Sequence, residues 1–101
     1  MKTFRNLRMA EVIRSELGKM LARDFEFPGF VTITDVEVAS DLSLAKIKLG
    51  IIPPEQGPAV YNELTQKAKQ IRGDLLRKMN VRPMPDLEFS IDEETIRPLS
   101  N

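Results

Sequence analysis

The stretch Val31–Pro53, VTITDVEVASDLSLAKIKLGIIP, decides the fold because it predicts two strands that fold back on each other. Its second half alternates apolar residues with Lys and Gly, which predicts a strand with one apolar face and one basic face. In its first half the apolar alternation changes phase near Thr34-Asp35, which indicates a β-bulge. The turn is expected at Ala39-Ser40-Asp41. Pro53-Pro54 ends the second strand, because proline has no N–H to donate to a sheet.

Helical patterns flank this hairpin. Apolar residues recur at intervals of three and four from about Arg5 to Arg23, and again from about Pro58 to Met79. Gly73 weakens the second pattern by about 1 kcal/mol relative to Ala, so a kink or close packing is expected there. A short strand with an acidic outer face follows at Leu87–Ile91. The predicted order is therefore helix, strand, strand, helix (with a kink or close packing) and strand.

This order predicts an α+β, two-layer domain with a three-stranded sheet and its helices on one face. A strand–helix–strand crossover makes the second and third strands parallel if they share a sheet. The order matches the type II KH arrangement, an RNA-binding scaffold. We expect residues 1–97 to form one KH-like domain and residues 98–101 a short flexible tail. Three aromatic residues near the Pro28-Gly29 turn are expected to pack in the core and the turn rather than to stack on bases: Phe25, Phe27 and Phe30.

The formal net charge is zero, yet the charges are segregated along the chain. Residues 1–23 and 65–85 each hold six basic side chains, against two and one acidic ones. Residues 24–64 and 86–101 hold seven and five acidic side chains, against two and one basic ones. If the two basic segments meet in space, they form a face that binds a polyanion despite the neutral total, because counterion release is local. The alternative is that both are ordinary solvated helix faces.

The composition argues against catalysis. The chain has no His and no Cys, so the common general bases, nucleophiles and metal-binding clusters are missing. The glycines form no phosphate-cradling loop. Asp92-Glu93-Glu94 is interpreted as a solvated acidic end rather than a weak divalent-cation site. We therefore expect no enzymatic activity, no cofactor, no metal and no small-molecule substrate.

A set of short motifs, in a fixed order from about Arg5 to Asp92, resembles the bacterial ribosome-binding factor A family. The motifs are the Arg-rich start of the first helix (Arg5, Arg8), Pro28, Val36–Leu42 (VEVASDL), Ala45-Lys46-Ile47, Ile71-Arg72, Leu75, Arg82, Pro85, Leu87, Phe89 and Asp92. The resemblance implies an assembly factor that binds the free small (30S) ribosomal subunit. It also implies support for late maturation of the subunit's rRNA, including 5′-end processing, and a role in cold adaptation.

The glycine pattern both supports and departs from this resemblance. No two glycines are spaced three apart, so the GXXG loop with which KH domains usually clamp nucleic acid is missing. Family members replace that loop with an interhelical kink, usually marked by Ala-x-Gly. Here the aligned residues are Lys67-Ala68-Lys69. The kink is therefore absent, moved toward Gly73, or formed without glycine.

The resemblance and the charge pattern together predict eight phosphate contacts. Such contacts position a protein on RNA but carry little sequence information. Arg72 has a competing role, since it is equally suited to pair with Asp41 or another acid and to hold the fold. Lys46 and Lys48 are second-tier candidates on the outer face of the sheet. The eight candidates are Arg5, Arg8, Lys67, Lys69, Arg72, Arg77, Lys78 and Arg82.

The expected partners are the small ribosomal subunit and its rRNA, with no membrane partner. We expect the protein to be cytoplasmic, because no apolar run approaches the ~20 residues needed to span a bilayer and the N-terminal segment carries charges throughout. We also expect a monomer. Two other functions stay open. A generic RNA-binding KH-like module would bind naked RNA tightly, and a protein–protein adaptor would use an apolar patch and resist salt.

Overall fold

The computed structural model describes residues 4–92. The chain order confirms the predicted α+β fold with a KH-like type II arrangement. The final part of the predicted domain and the predicted tail at 98–101 lie outside the described residues. The elements are α1 (Phe4–Asp24), β1 (Phe30–Val38), β2 (Leu44–Ile52), a 3₁₀ turn (Pro54–Gln56), α2 (Gly57–Gln66), α3 (Ala68–Met79) and β3 (Asp86–Ile91).

The three strands form one mixed sheet with β2 in the centre. β1 pairs with β2 antiparallel and β3 pairs with β2 parallel, as predicted. The register shifts between Ile33 and Asp35, which confirms the predicted bulge. The hairpin turn is closed by the Asp41 carboxylate, which accepts hydrogen bonds from the N–H of Ser43 at 3.1 Å and its hydroxyl at 2.7 Å. These bonds hold the pKa of Asp41 below its usual range, because they favour the ionised form.

The core lies between one face of the sheet and the helices. In β2 the alternating residues Ala45, Ile47, Leu49 and Ile51 are fully buried, whereas Lys46 and Lys48 between them are exposed. Burying each branched side chain stabilises the fold by about 1.5–3 kcal/mol. From the helices the core receives a matching set of buried apolar residues: Ile13, Leu17, Met20, Val60, Leu64, Ile71 and Leu75.

Two polar side chains of α1 fix its position over β1. The buried amide of Asn6 donates to the carbonyl oxygen of Val38 at 2.9 Å. At the middle of the helix, the guanidinium of Arg14 donates to the carbonyl oxygen of Ile33 at 3.1 Å, beside the bulge. A buried amide without a partner costs free energy, so the Asn6 bond selects this packing of helix against sheet.

The second helical region breaks at Lys67, where φ is −99° and ψ is 10°. The kink therefore exists and forms without glycine, because a negative φ of this kind is open to any L-residue. Two hydrogen bonds of helical spacing span the break and connect α2 to α3 end to end: Lys67 N–H to Glu63 O (3.1 Å) and Ile71 N–H to Lys67 O (2.9 Å). The prediction of a kink or close packing at Gly73 is wrong. Gly73 lies inside α3, and a Cβ built there would meet nothing closer than 3.8 Å.

The aromatic residues around the Pro28-Gly29 turn do not all pack inward. Phe25 and Phe27 are half-buried and stack on each other, with ring centroids 5.3 Å apart. Phe30 is 79% exposed, so the prediction that it packs in the core or turn is wrong. The physical reason is its place in the alternation of β1, which puts it on the outer face of the sheet opposite Ile52.

Candidate nucleic-acid interface

The two basic segments of the chain meet along the seam between α1 and α3. Residues from the start of α1 line one groove together with residues at and just after the end of α3. Residues from the end of α1 line a second groove together with residues from the last two turns of α3. The two helices therefore lie against each other. Segregated charges in the sequence become a basic helical face because this packing joins them.

The first groove, called here the arginine groove, has a volume of about 380 Å³. Three of the predicted cations surround it: Arg5, Arg8 and Arg82. Its other walls are apolar, and no carboxylate of the described residues lines it. All three arginines are exposed and form no ion pair with a described residue. The apolar walls are formed by Met9, Val12, Leu42, Met79 and Val81.

Local backbone conformation brings the third arginine to this groove. α3 ends at Asn80, which adopts the left-handed conformation with a φ of 54° and donates its N–H to the carbonyl oxygen of Leu76 at 2.8 Å. Asn tolerates this conformation better than most residues, so it serves as a helix stop. The chain then reverses and carries Val81 and Arg82 back to the start of α1.

The second groove, called here the mixed groove, has a weaker positive character. Arg77 and Lys78 line it, as does Arg23, which was not among the predicted contacts. Arg23 belongs to the basic N-terminal segment, and that charge count was the only signal in the sequence that pointed to it. Asp74, also in the lining, forms an ion pair with Arg77.

Arg23 of the mixed groove is further neutralised by its neighbour in the chain. Its guanidinium makes two hydrogen bonds to the Asp24 carboxylate, at 2.8 and 3.1 Å. These bonds raise the pKa of Arg23 and lower that of Asp24, because each favours the charged form. Arg5, Arg8 and Arg82 have no such partners among residues 4–92, so the arginine groove attracts an anion more strongly than the mixed groove does.

The two lysines at the kink differ in their surroundings. The ammonium group of Lys67 lies 5.2 Å from the centroid of the Phe25 ring and 3.4 Å from a carboxylate oxygen of Glu63. Lys67 therefore helps to hold the kink against Phe25, the first residue after α1. Lys69 is exposed and forms no ion pair within residues 4–92, so it is the freer cation for an external phosphate.

Arg72 faces the turn before β3. Its Nε donates to the carbonyl oxygen of Pro85 at 3.1 Å, and its Nη2 donates to that of Met84 at 2.6 Å. Its acidic partner is Asp86, at 3.4 Å, rather than the predicted Asp41. The sequence left two roles open for Arg72, RNA binding and stabilisation of the fold. The contacts favour stabilisation, because the guanidinium already donates to the carbonyl oxygens of two buried residues.

The second-tier candidates lie on the opposite side of the molecule, in an acidic setting. Lys46 has Glu37 as its cross-strand neighbour on β1 and Glu88 on β3, and Lys48 lies opposite Asp35. Opposite charges paired across strands stabilise the sheet by up to about 1 kcal/mol each. The outer face therefore holds three acids around two lysines, and it repels a polyanion more than the helical face does.

Two other kinds of feature are absent from residues 4–92: a metal-ligand cluster and a membrane-spanning helix. Among these residues no three His, Cys, Asp or Glu side chains cluster as metal ligands. In the same range no helix combines the length and the apolar character required to cross a membrane. The acidic Asp92-Glu93-Glu94 segment lies outside the described residues from Glu93 onward.

Comparisons with known proteins match most of the chain to one family. The family model described as ribosome-binding factor A matches residues 5–98. A ribosome-binding factor A of Brevibacillus brevis is 39% identical over 89 residues, which span 85% of this chain and 74% of the relative. The protein of the same name from Macrococcus caseolyticus is 33% identical over 94 residues, which span 90% of this chain and 82% of the relative.

Solved structures show the same fold at lower identity. The crystal structure of ribosome-binding factor A from Thermus thermophilus matches with a TM-score of 0.73 and 19% identity, over 85% of this chain and 93% of that one. A homology model of the Thermus thermophilus protein, fitted into a cryo-EM map of a 30S complex, matches with a TM-score of 0.65 and 23% identity. That match covers 82% of this chain and 94% of the other.

Proposed function

This chain belongs to the ribosome-binding factor A family, and from that premise we propose that it binds the free small ribosomal subunit through its α1–α3 face. The observation that carries this proposal is the convergence of Arg5, Arg8 and Arg82 on one groove that no carboxylate of the described residues lines. Ribosomal RNA is the polyanion that such a face fits, because cations close to phosphates release bound counterions.

The asymmetry of the molecule supports one binding orientation. Around the arginine groove the helical face carries cations that form no ion pair within residues 4–92, whereas the outer sheet face carries Asp35, Glu37 and Glu88 around its two lysines. A dipolar protein of zero net charge is attracted by RNA with one face and repelled with the other. This arrangement orients the protein on the subunit while it limits non-specific association.

The role we propose is binding without covalent chemistry. The protein occupies an immature subunit, holds an RNA element in a non-final position, assists late maturation and 5′-end processing of the rRNA, and then leaves. A chain without His or Cys fits such a role, because its contribution is positional. We propose that it acts as a monomer in the cytoplasm, where subunits are assembled, and that it supports growth in the cold.

Sedimentation with purified small subunits over a series of salt concentrations tests the binding face. Each phosphate contact contributes about 0.7–0.9 to the slope of log affinity against log salt. A variant with R5A, R8A and R82A is therefore expected to lower the slope by about 2 to 3. The matched control, K46A with K48A, also removes positive charge but from the sheet face, and it should keep the wild-type slope. Equal slopes for the triple variant and the wild type would assign the contact to another surface.

Maturation is tested separately in cells. Depletion of the protein at low temperature should increase the fraction of small-subunit rRNA with unprocessed 5′ ends, measured by primer extension. Re-expression of the wild type should restore processing, whereas the triple arginine variant should not. Normal 5′ ends after depletion would remove the maturation role and leave subunit binding alone.

A further inference from the structure

The arginine groove also has an apolar surface, which phosphate contacts alone do not explain. Its walls between the guanidinium groups are apolar, and Val12 among them is 43% exposed. Phosphate groups do not benefit from such a surface, since it offers them no hydrogen bonds. An apolar wall that stays open to water favours a ligand with a flat, weakly hydrated surface of its own.

An exposed aromatic side chain lies next to the groove. Phe4 is 84% exposed, and it lies four residues before Arg8 on the same side of α1. Aromatic rings and guanidinium planes are the groups on which unpaired bases of RNA stack. Phe4 therefore places an exposed aromatic residue on the side of α1 from which Arg8 lines the groove.

We propose that the arginine groove binds one unstacked nucleotide of a single-stranded RNA segment. The base lies against the apolar wall around Val12, Phe4 stacks on an adjacent base, and Arg5, Arg8 and Arg82 bind the flanking phosphates. This inference rests on the proposed binding of ribosomal RNA and deepens it, because it specifies an unpaired segment rather than a duplex.

Size and charge both fit this occupant. The volume of about 380 Å³ lies near the lower end of the range of small-molecule sites, about 300–1,000 Å³, which suits one nucleotide. Three guanidinium groups around an apolar wall match the two halves of a nucleotide, an anionic phosphate and a flat base. A base in a helical duplex is stacked on both faces and does not reach this wall, so the fit selects unpaired RNA.

The test compares two labelled probes by fluorescence anisotropy with the full chain. One is an oligouridylate of about ten nucleotides, and the other is a chain of the same length and charge without bases. Each stacked base is expected to strengthen binding between about fivefold and 150-fold. V12Q and F4A should each reduce this ratio and leave binding of the base-free chain unchanged. I52Q is the matched control, because Ile52 is also an exposed apolar residue but lies on the sheet.

Equal affinities of wild type for the two probes would overturn the nucleotide site, as would a ratio that V12Q and F4A leave unchanged. Binding of an acidic peptide with one apolar side chain, sensitive to V12Q, in place of oligouridylate would overturn it in favour of a protein ligand. Sedimentation with small subunits is run in parallel. If subunits are bound and the two probes bind equally, the nucleotide site fails alone. If subunits are not bound either, the proposed function fails with it.

Discussion

Arg72 is predicted to stabilise the fold rather than to bind RNA, and its replacement separates these roles. Its two hydrogen bonds reach the carbonyl oxygens of Met84 and Pro85, at 2.6 and 3.1 Å, in the turn that leads into β3. Both of these residues are buried. Replacement of Arg72 by Ala would leave their carbonyl groups without this donor and would free the turn from α3.

The size of the effect follows from these contacts. A buried hydrogen bond to a charged group contributes about 1.5–3 kcal/mol, but the Arg72 side chain is 37% exposed, so each of its two bonds is expected to contribute only about 1 kcal/mol. Asp86, its acidic partner, is 80% exposed and adds at most about 1 kcal/mol. R72A is therefore expected to lower the free energy of unfolding by about 2–3 kcal/mol, which lowers Tm by about 10–20 °C in a domain of this size.

Urea unfolding followed by far-UV circular dichroism measures this loss, because the chain has one Tyr and no Trp for fluorescence. R77A is the matched control on the same helix. Its side chain is 74% exposed, and the change should stay within about 0.5 kcal/mol. D86N should cost less than R72A, since it removes only the exposed ion pair. R72A removes the charge, so if Arg72 does not bind RNA, subunit binding should persist below the Tm of this variant. A loss of stability under about 0.5 kcal/mol in R72A, or weakened binding by folded R72A, would refute this reasoning.

Three further predictions concern glycines and the hairpin turn. Gly29→Ala should destabilise the protein strongly in thermal unfolding, because the new Cβ would lie 2.3 Å from a backbone carbonyl oxygen of β2; a stable variant would show that the backbone yields there. Gly18→Ala is its control and should raise stability by up to about 1 kcal/mol, because nothing lies within 4 Å in mid-helix. Gly73→Ala should likewise stabilise α3, whereas a loss would indicate a bend at that residue. Wild type and Asp41→Asn should differ in stability at about pH 6, and this difference should disappear as the pH falls through the pKa of Asp41, which the Ser43 hydrogen bonds hold below its usual range, because the protonated carboxyl no longer accepts these bonds as a carboxylate. A constant difference from about pH 6 to about pH 3 would exclude this cause.

The fold was predictable from the sequence because its main signals are periodic and local. The alternation in β2 and the helical spacing in α1 depend only on which residues face the core, and the structure buries the residues that the patterns selected. The bulge before Asp35 was also readable, since an extra residue changes the phase of an alternating pattern. Phe30 was misjudged, because a residue's side of the sheet depends on its strand register and not on its hydrophobicity.

The candidate site was predictable only as a set of cations. Arg5, Arg8 and Arg82 were predicted from the sequence, and the structure joins them at one groove. Arg72 was also predicted, but its guanidinium donates to backbone carbonyl groups. Arg23, which lines the mixed groove with Arg77, was not predicted. Charge is a property of each residue, whereas its availability depends on neighbours that are distant in the chain.

The sequence by itself determined the strands, the helices, the segregation of charge and the family resemblance, since each depends on residue types in order. Only the tertiary structure decided how those charges combine. The packing of α1 against α3 joins two basic segments that are distant in the chain into one face, while strand pairing surrounds Lys46 with Glu37 and Glu88. The kink at Lys67 was likewise visible only in the structure, since its negative φ needs no glycine and therefore leaves no mark in the sequence.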